Sequence, residues 1–242
     1  MSDAGHHTGR LGAPVTVTGG VVIVGGAMAA LRTAEALRRH AVTLPVTIIG
    51  SEPYLPYNRP PLSKEALRSG ALEHADLAFT LRDSVANVQF VTGREVRSSD
   101  LESGIVTDSE GDDYSFEFLV AATGLRPRRS KLAANLAGVH VLHSLDDALA
   151  LRPRLRPGAR LVISGSGFVA LELAATARGL GCEVTIVSRG DKPLRLLGPE
   201  MSAALVDRHA SEGVRFVLGH TIAGVHGKAA VEKVEICSGE EV

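Results

Sequence analysis

Two consecutive α/β units with parallel sheets, the first carrying an antiparallel β-meander, are the fold class that this chain of 242 residues predicts. Three observations carry that expectation. Val21-Val22-Ile23-Val24 is a short run of β-branched residues that ends in the small residues Gly25-Gly26-Ala27 and leads into a helical pattern. Leu161-Val162-Ile163-Ser164, followed by Gly165-Ser166-Gly167, repeats the arrangement. After each turn comes a helix-period stretch and then another apolar run, and strand, helix, strand in that order favours a parallel sheet.

Taken in order, Val21 to Val24 is a buried strand. Leu31, Ala34 and Leu37 form one stripe of an amphipathic helix whose cationic end, Arg38-Arg39-His40, complements the helix dipole. Val46 to Ile49 is the next strand. From Pro53 to Pro61 four prolines fix φ and remove donors, so neither helix nor central strand is expected there. Three short runs, Val88 to Val91, Glu95 to Ser98 and Gly104 to Asp108, lie between Gly, Ser and Asp turns and predict the meander. Phe116 to Ala122 returns as a strand. The polar, aperiodic segment from Arg126 to Lys131 marks a domain junction. Beyond it come a helix at Leu145 to Leu151, a strand at Leu161 to Ser164, a helix at Phe168 to Gly179 and a strand at Cys182 to Ser188. A helix at Glu200 to Glu212, a strand at Val214 to Leu218 and an antiparallel strand at Val231 to Ile236 complete the pattern. The expected division is a flexible tail over residues 1–20, a first domain over 21–126 and a second over 127–242.

Composition narrows the function classes. A formal net charge of -1 and an aromatic content of 4% without tryptophan give neither the basic surface nor the stacking platforms that nucleic acid requires. No run approaches the roughly 18 apolar residues of a membrane span, and the first 20 residues lack a signal-like apolar stretch, so a cytoplasmic protein is expected. Cys182 and Cys237 are too far apart for a redox dithiol, and Cys182 sits in a strand pattern as a small buried hydrophobe. No metal site is expected.

Gly165, Gly167 and Ala170 fill the small-residue positions of the Gly-x-Gly-x-x-Gly/Ala fingerprint, in which a buried strand delivers a helix N-terminus to a pyrophosphate. Both units are therefore Rossmann-like dinucleotide-binding domains. At the end of the next strand, where a carboxylate would hold a ribose diol, stand Ser188 and Arg189. An arginine there suits a 2′-phosphate, favouring NADP(H) over NAD(H), and equally suits a solvated turn. At the first turn Gly25 is in place, but Ala27 occupies the position where backbone approaches the pyrophosphate. A Cβ in a left-handed conformation there costs about 1 to 2 kcal/mol, and Gly26 comes one residue early, so a weakened grip is expected. Glu52 follows the second strand and can accept from a ribose hydroxyl.

With Pro56-Tyr57-Asn58-Arg59-Pro60-Pro61-Leu62-Ser63-Lys64 and Ala122-Thr123-Gly124 between the two turns, the chain resembles the FAD-dependent NAD(P)H reductases of ferredoxins and rubredoxins. These form the putidaredoxin-reductase-like group of the pyridine nucleotide-disulphide oxidoreductase superfamily. The resemblance runs from Val21 to about Gly239. It implies FAD in the first domain and NAD(P)H in the second, with electrons passing to a ferredoxin- or rubredoxin-like carrier. It places Arg59 against the FAD phosphates, Pro60 near the isoalloxazine, and Lys64 beside flavin N5. Glu172 pairs with that lysine and contacts the nicotinamide, with Phe168 and Val169 in the same helix start; Thr123, Gly124 and Arg126 lie against FAD. A lysine so placed stabilises negative charge on reduced flavin, and a carboxylate partner orients it. Outside the resemblance, Lys64 reads as an exposed lysine at a helix start and Glu172 as an ordinary helix glutamate. The resemblance also implies a later return to the FAD domain and an interface domain, which these 242 residues lack, leaving sheet edges open to self-association or a partner chain. Beside the reductase stand two other readings: an NADP(H)-binding module without flavin, and a non-catalytic remnant or interaction subunit.

Overall fold

The computed structural model describes residues 19–238 apart from Ser69, Ala71, Arg129, Ala134 and Asn135, so the tail expected over 1–20 lies, up to residue 18, outside the described residues. The chain divides into two compact units. One runs to Asn58 and resumes over Ala78–Leu125; the other takes Arg59–Leu77 and the chain from Arg126 onward. The sequence counts Arg59–Leu77 within 21–126, whereas the structure gives it to the second unit.

In the first unit β1 (Val21–Val24), α1 (Met28–Arg39) and β2 (Val46–Ile49) form the expected strand, helix, strand. Successive side chains of a strand point to opposite faces. Val21 and Ile23 accordingly join Val46, Ile48, Ala30, Leu31 and Ala34 in one buried cluster, while Val22 and Ile49 join Val106 and Tyr114 in another. That double burial is why β1 reads as a continuous apolar run and β2 as one interrupted only by the buried Thr47. The expectation for Val88 to Val91 is corrected. Its core, β3 (Gln89–Val91), pairs in parallel with β2 through Thr47 to Gln89 and Ile49 to Val91, and is no part of the meander. Short alternating runs do not state their partner, and the open edge of β2 took this one. The meander consists of β4 (Val96–Asp100), β5 (Ile105–Asp108) and a strand the sequence did not reveal, β6 (Asp113–Ser115). With β7 (Phe118–Ala121) the parallel sheet has the order β3-β2-β1-β7.

The second unit opens with the proline-rich segment. Pro60–Ser63 closes into a 3-10 turn, a departure from the expectation of no helix, because its prolines occupy the first two positions, where no amide is needed. Two single-turn helices follow, α2 (Glu65–Arg68) and α3 (His74–Leu77), and Leu62, Ala66, Leu67 and Leu77 are buried. α4 (Leu145–Leu151) starts with a capping box in which Ser144 Oγ accepts the Asp147 amide and Asp147 accepts the Ser144 amide. β8 (Arg160–Ser164), α5 (Phe168–Gly179), β9 (Glu183–Ser188), α6 (Pro199–Ser211) and β10 (Val214–Leu218) then build a parallel sheet of order β10-β9-β8. A hairpin of β11 (His220–His226) and β12 (Lys233–Ser238) closes the unit; β11 was unread, and its partner strand lies two residues beyond the expected span. Cys182 is buried, as its strand context implies, and Cys237 is exposed. Phe118 on the edge strand β7 and Val162 on the edge strand β8 are 54% and 38% exposed. No described helix is long and apolar enough to cross a membrane. The described residues contain no cluster of three metal-ligating side chains.

One ionic cluster ties the meander to the strand before it. Arg94 reaches Asp108 at 3.1 Å, Asp112 at 3.0 Å and Glu110 at 2.9 Å. The Asp108 side chain, wholly buried, also accepts the amides of Glu110 and Asp112 and the Tyr114 hydroxyl. Burial by itself would raise the Asp108 carboxyl; the amides, the hydroxyl and Arg94 outweigh it and hold the group below its ordinary value. The Tyr114 phenol is pushed up to about 12, by burial first and then by Asp108. A carboxyl depressed in the folded state contributes stability above its unfolded value, near pH 4, and loses it as pH falls through the folded value. Replacing Asp108 with Asn should therefore flatten the acid limb of stability below about pH 4 and lower the melting temperature at neutral pH by several degrees. Thermal melts at stepped pH check both effects.

Candidate functional site

Both strand-to-helix turns are built alike. The left-handed residue in each is the first glycine, Gly25 at φ +124° and Gly165 at φ +107°. In the first turn Gly25 packs against the backbone of Ala122 and Thr123, so closely that a Cβ would overlap the Ala122 carbonyl oxygen, and a Cβ on Gly26 would stand 2.9 Å from Cα of Gly50. The structure thus brings Gly25, Gly26 and Thr123 together. Glu52 accepts the Tyr57 hydroxyl at 2.6 Å.

The strain expected at Ala27 is absent. Ala27 caps α1 at φ −106°, ψ −167°, extended backbone open to any residue, and its counterpart Gly167 caps α5 at φ −80°, ψ −178°. The left-handed demand of this turn falls on the first glycine; the second small residue is an extended N-cap. Neither α1 nor α5 has a side-chain cap or an acid in its first turn. Their leading amides and dipoles are free to meet an anion, which is what a pyrophosphate requires. Gly165 and Gly167 face open space: nothing lies within 4 Å of a Cβ built on either. Ser188, at the end of β9, bonds the Ser166 hydroxyl at 2.9 Å, fastening the strand end to the turn, and Arg189 beyond it is exposed.

Lys64 and Glu172 meet within the second unit. Lys64 Nζ lies 2.7 Å from Glu172 Oε2, each side chain about a third exposed (35% and 36%). Ser63, which sequence reasoning did not single out, donates to that same Oε2 at 2.5 Å. Thr176, one turn further along α5, donates its hydroxyl to the Ser63 carbonyl at 2.8 Å. The spacing of four puts Glu172 and Thr176 on one helix face; that spacing, beside Ser63-Lys64, was the available signal. Lys64 Nζ also donates to the Pro60 carbonyl at 3.1 Å, and Arg59 donates to the His143 carbonyl at 2.8 Å. Burial by itself would raise the Glu172 carboxyl, but the Lys64 ammonium and Ser63 hydroxyl hold it below the ordinary value.

Residues 19–242 match the family model described as pyridine nucleotide-disulphide oxidoreductase. The chain is similar to the benzene 1,2-dioxygenase system ferredoxin–NAD(+) reductase subunit of Pseudomonas putida, at 36% identity over 90% of this chain and 54% of the relative. It is also similar to rhodocoxin reductase of Rhodococcus erythropolis, at 34% identity over 87% of this chain and 51% of the relative. Among solved structures it superposes on the putidaredoxin reductase of a covalent complex with putidaredoxin, with a TM-score of 0.82 and 29% identity over 91% of this chain and 55% of that one. A ferredoxin reductase from Rhodopseudomonas palustris gives a TM-score of 0.84 and 31% identity over 91% and 55%. The chain spans about half the length of the curated relatives it matches.

The first and second small-residue positions of these turns predict different responses to one methyl group. Gly25→Ala must carry a Cβ at positive φ against backbone and should cost about 2 to 4 kcal/mol. Gly167→Ala meets neither obstacle and should stay within about 0.5 kcal/mol of the parent. Urea unfolding of the two variants measures the difference.

Proposed function

The chain belongs to the pyridine nucleotide-disulphide oxidoreductase family, and from that premise we propose that it passes reducing equivalents from NADPH or NADH through FAD to a small ferredoxin- or rubredoxin-like carrier. One observation carries the reading: Glu172, the carboxylate that pairs with Lys64, stands on the helix that opens at the Gly165–Gly167 turn. The carboxylate that orients a cation for the electron-accepting ring and a start for the nucleotide's pyrophosphate thereby share one helix, while the cation itself comes from the segment after Pro60–Ser63.

FAD supplies a ring that accepts a hydride and releases single electrons; binding and orientation fall to the chain. Gly25, Gly26 and Ala27, with the bare amides of α1, suit the FAD pyrophosphate, and the extended conformation of Ala27 removes the backbone objection to it. Glu52, oriented by Tyr57, accepts from the adenosine ribose, and Thr123 and Gly124 line the same end of the sheet. Gly165, Gly167, Phe168 and Val169 receive the nicotinamide nucleotide. Lys64 presents positive charge where negative charge grows, and Glu172 keeps it aimed. Arg189, with no carboxylate at Ser188, takes a 2′-phosphate, so NADPH is the proposed donor, although the Pseudomonas putida relative above is named for NAD(+). Two unpaired cysteines accord with a reducing cytoplasm. The exposed edges of β7 and β8 accept a further strand from a partner chain or a second copy.

The purified chain should take up FAD and show flavin absorption that bleaches on adding NADPH. A preparation that binds NADPH in calorimetry but never FAD would replace this reading with a flavin-free nucleotide module. In the flavin-loaded protein, Lys64→Met should slow bleaching roughly tenfold to a hundredfold with little change in nucleotide affinity. Arg189→Ala should weaken NADPH roughly tenfold to a hundredfold and leave NADH unaffected, as for one lost charge-assisted bond. Stopped-flow absorbance and paired titrations read the two effects.

A further inference from the structure

Two donors converge on a single oxygen of Glu172: the Lys64 ammonium at 2.7 Å and the Ser63 hydroxyl at 2.5 Å. They differ in how they are held. The lysine reaches the carboxylate on a four-carbon stem that is a third exposed. Ser63 is 4% exposed, sits in the 3-10 turn, and has its carbonyl bound by the Thr176 hydroxyl, itself 1% exposed. One donor can leave, and the other is fastened to α5 through side chain and main chain at once.

We propose that Ser63 is a positioning residue, tied to α5 by Thr176, whose hydroxyl holds Glu172 ionised and aimed when the Lys64 ammonium turns away from the pair. The inference rests on the reductase reading only for the identity of the group that Lys64 serves. Without Ser63, each departure of the lysine would leave a half-buried carboxylate with no donor on Oε2, and such a group recovers by taking up a proton. With Ser63 in place, Glu172 keeps its charge, and the attraction that brings the lysine back survives.

The test is a carbon-13 NMR titration of the Glu172 carboxyl in the full chain without flavin or nucleotide, with a thermal melt as a folding control. Ser63→Ala should move the Glu172 midpoint to higher pH, and Ser63→Thr, which keeps the hydroxyl, should restore it toward that of the unaltered chain. In Lys64→Met the midpoint should stay below that of the double variant Lys64→Met with Ser63→Ala. Three outcomes overturn the proposal: no movement in Ser63→Ala, equal movement in the Ala and Thr variants, or coincidence of Lys64→Met with the double variant. None of these readings depends on whether the chain reduces FAD, so failure here and failure of the reductase reading remain separate.

Discussion

Leaving the first-turn amides of α1 and α5 without side-chain partners is the constraint around which both units are arranged. A cap of the kind that Ser144 and Asp147 give α4 is worth about 1 kcal/mol, and these two helices forgo it. Their starts are fixed instead by what precedes them. A strand of the parallel sheet ends in a left-handed glycine whose amide is donated to the neighbouring strand, from Gly25 to the Ile49 carbonyl and from Gly165 to the Val187 carbonyl. The amides are therefore kept in place by the sheet without a side-chain cap.

The segment Arg59–Leu77 shows a second economy. Prolines restrict the backbone before it docks, so less conformational entropy is lost when it does. Polar contacts tie it to α5 through the Ser63 carbonyl and hydroxyl and the Lys64 ammonium and to the His143 carbonyl ahead of α4 through the Arg59 guanidinium, and Leu62, Ala66 and Leu67 are buried. A lysine at the end of such a turn is placed by neighbours that are themselves held, and its own long side chain needs to supply only the last few ångströms.

What the sequence made legible follows the range of the interactions involved. β1, β2 and α5 could be read because a strand buried on both faces and a helix with one buried face write their periods locally. The pairing of β3 could not, since its partner β2 lies some forty residues earlier and three residues carry little pattern. β6 is hidden for the same reason, with only Tyr114 among its three residues buried. At the site, Lys64 and Glu172 were legible through a resemblance, whereas Ser63 and Thr176 act through tertiary contacts between polar residues that in sequence look like any turn serine and helix threonine. Ala27 was misjudged for a narrower reason. The fingerprint's second small residue is required for what approaches it, and its φ makes no demand that alanine cannot meet.

The two ionic clusters set the limits of what such groups do here. Asp108 is wholly buried and accepts from two amides, a phenol and a guanidinium, so every route away from its ionised state breaks several bonds at once. Glu172 is a third exposed and receives two donors on one oxygen. Exposure weakens the pair, since water competes for each partner and ion pairs at such sites contribute little net stability. A pair that contributed stability would be better placed where Arg94 and Asp108 are. A lysine and a glutamate about a third exposed, with a serine donating to the same carboxylate oxygen, instead have an arrangement in which the ion pair itself can separate at low cost.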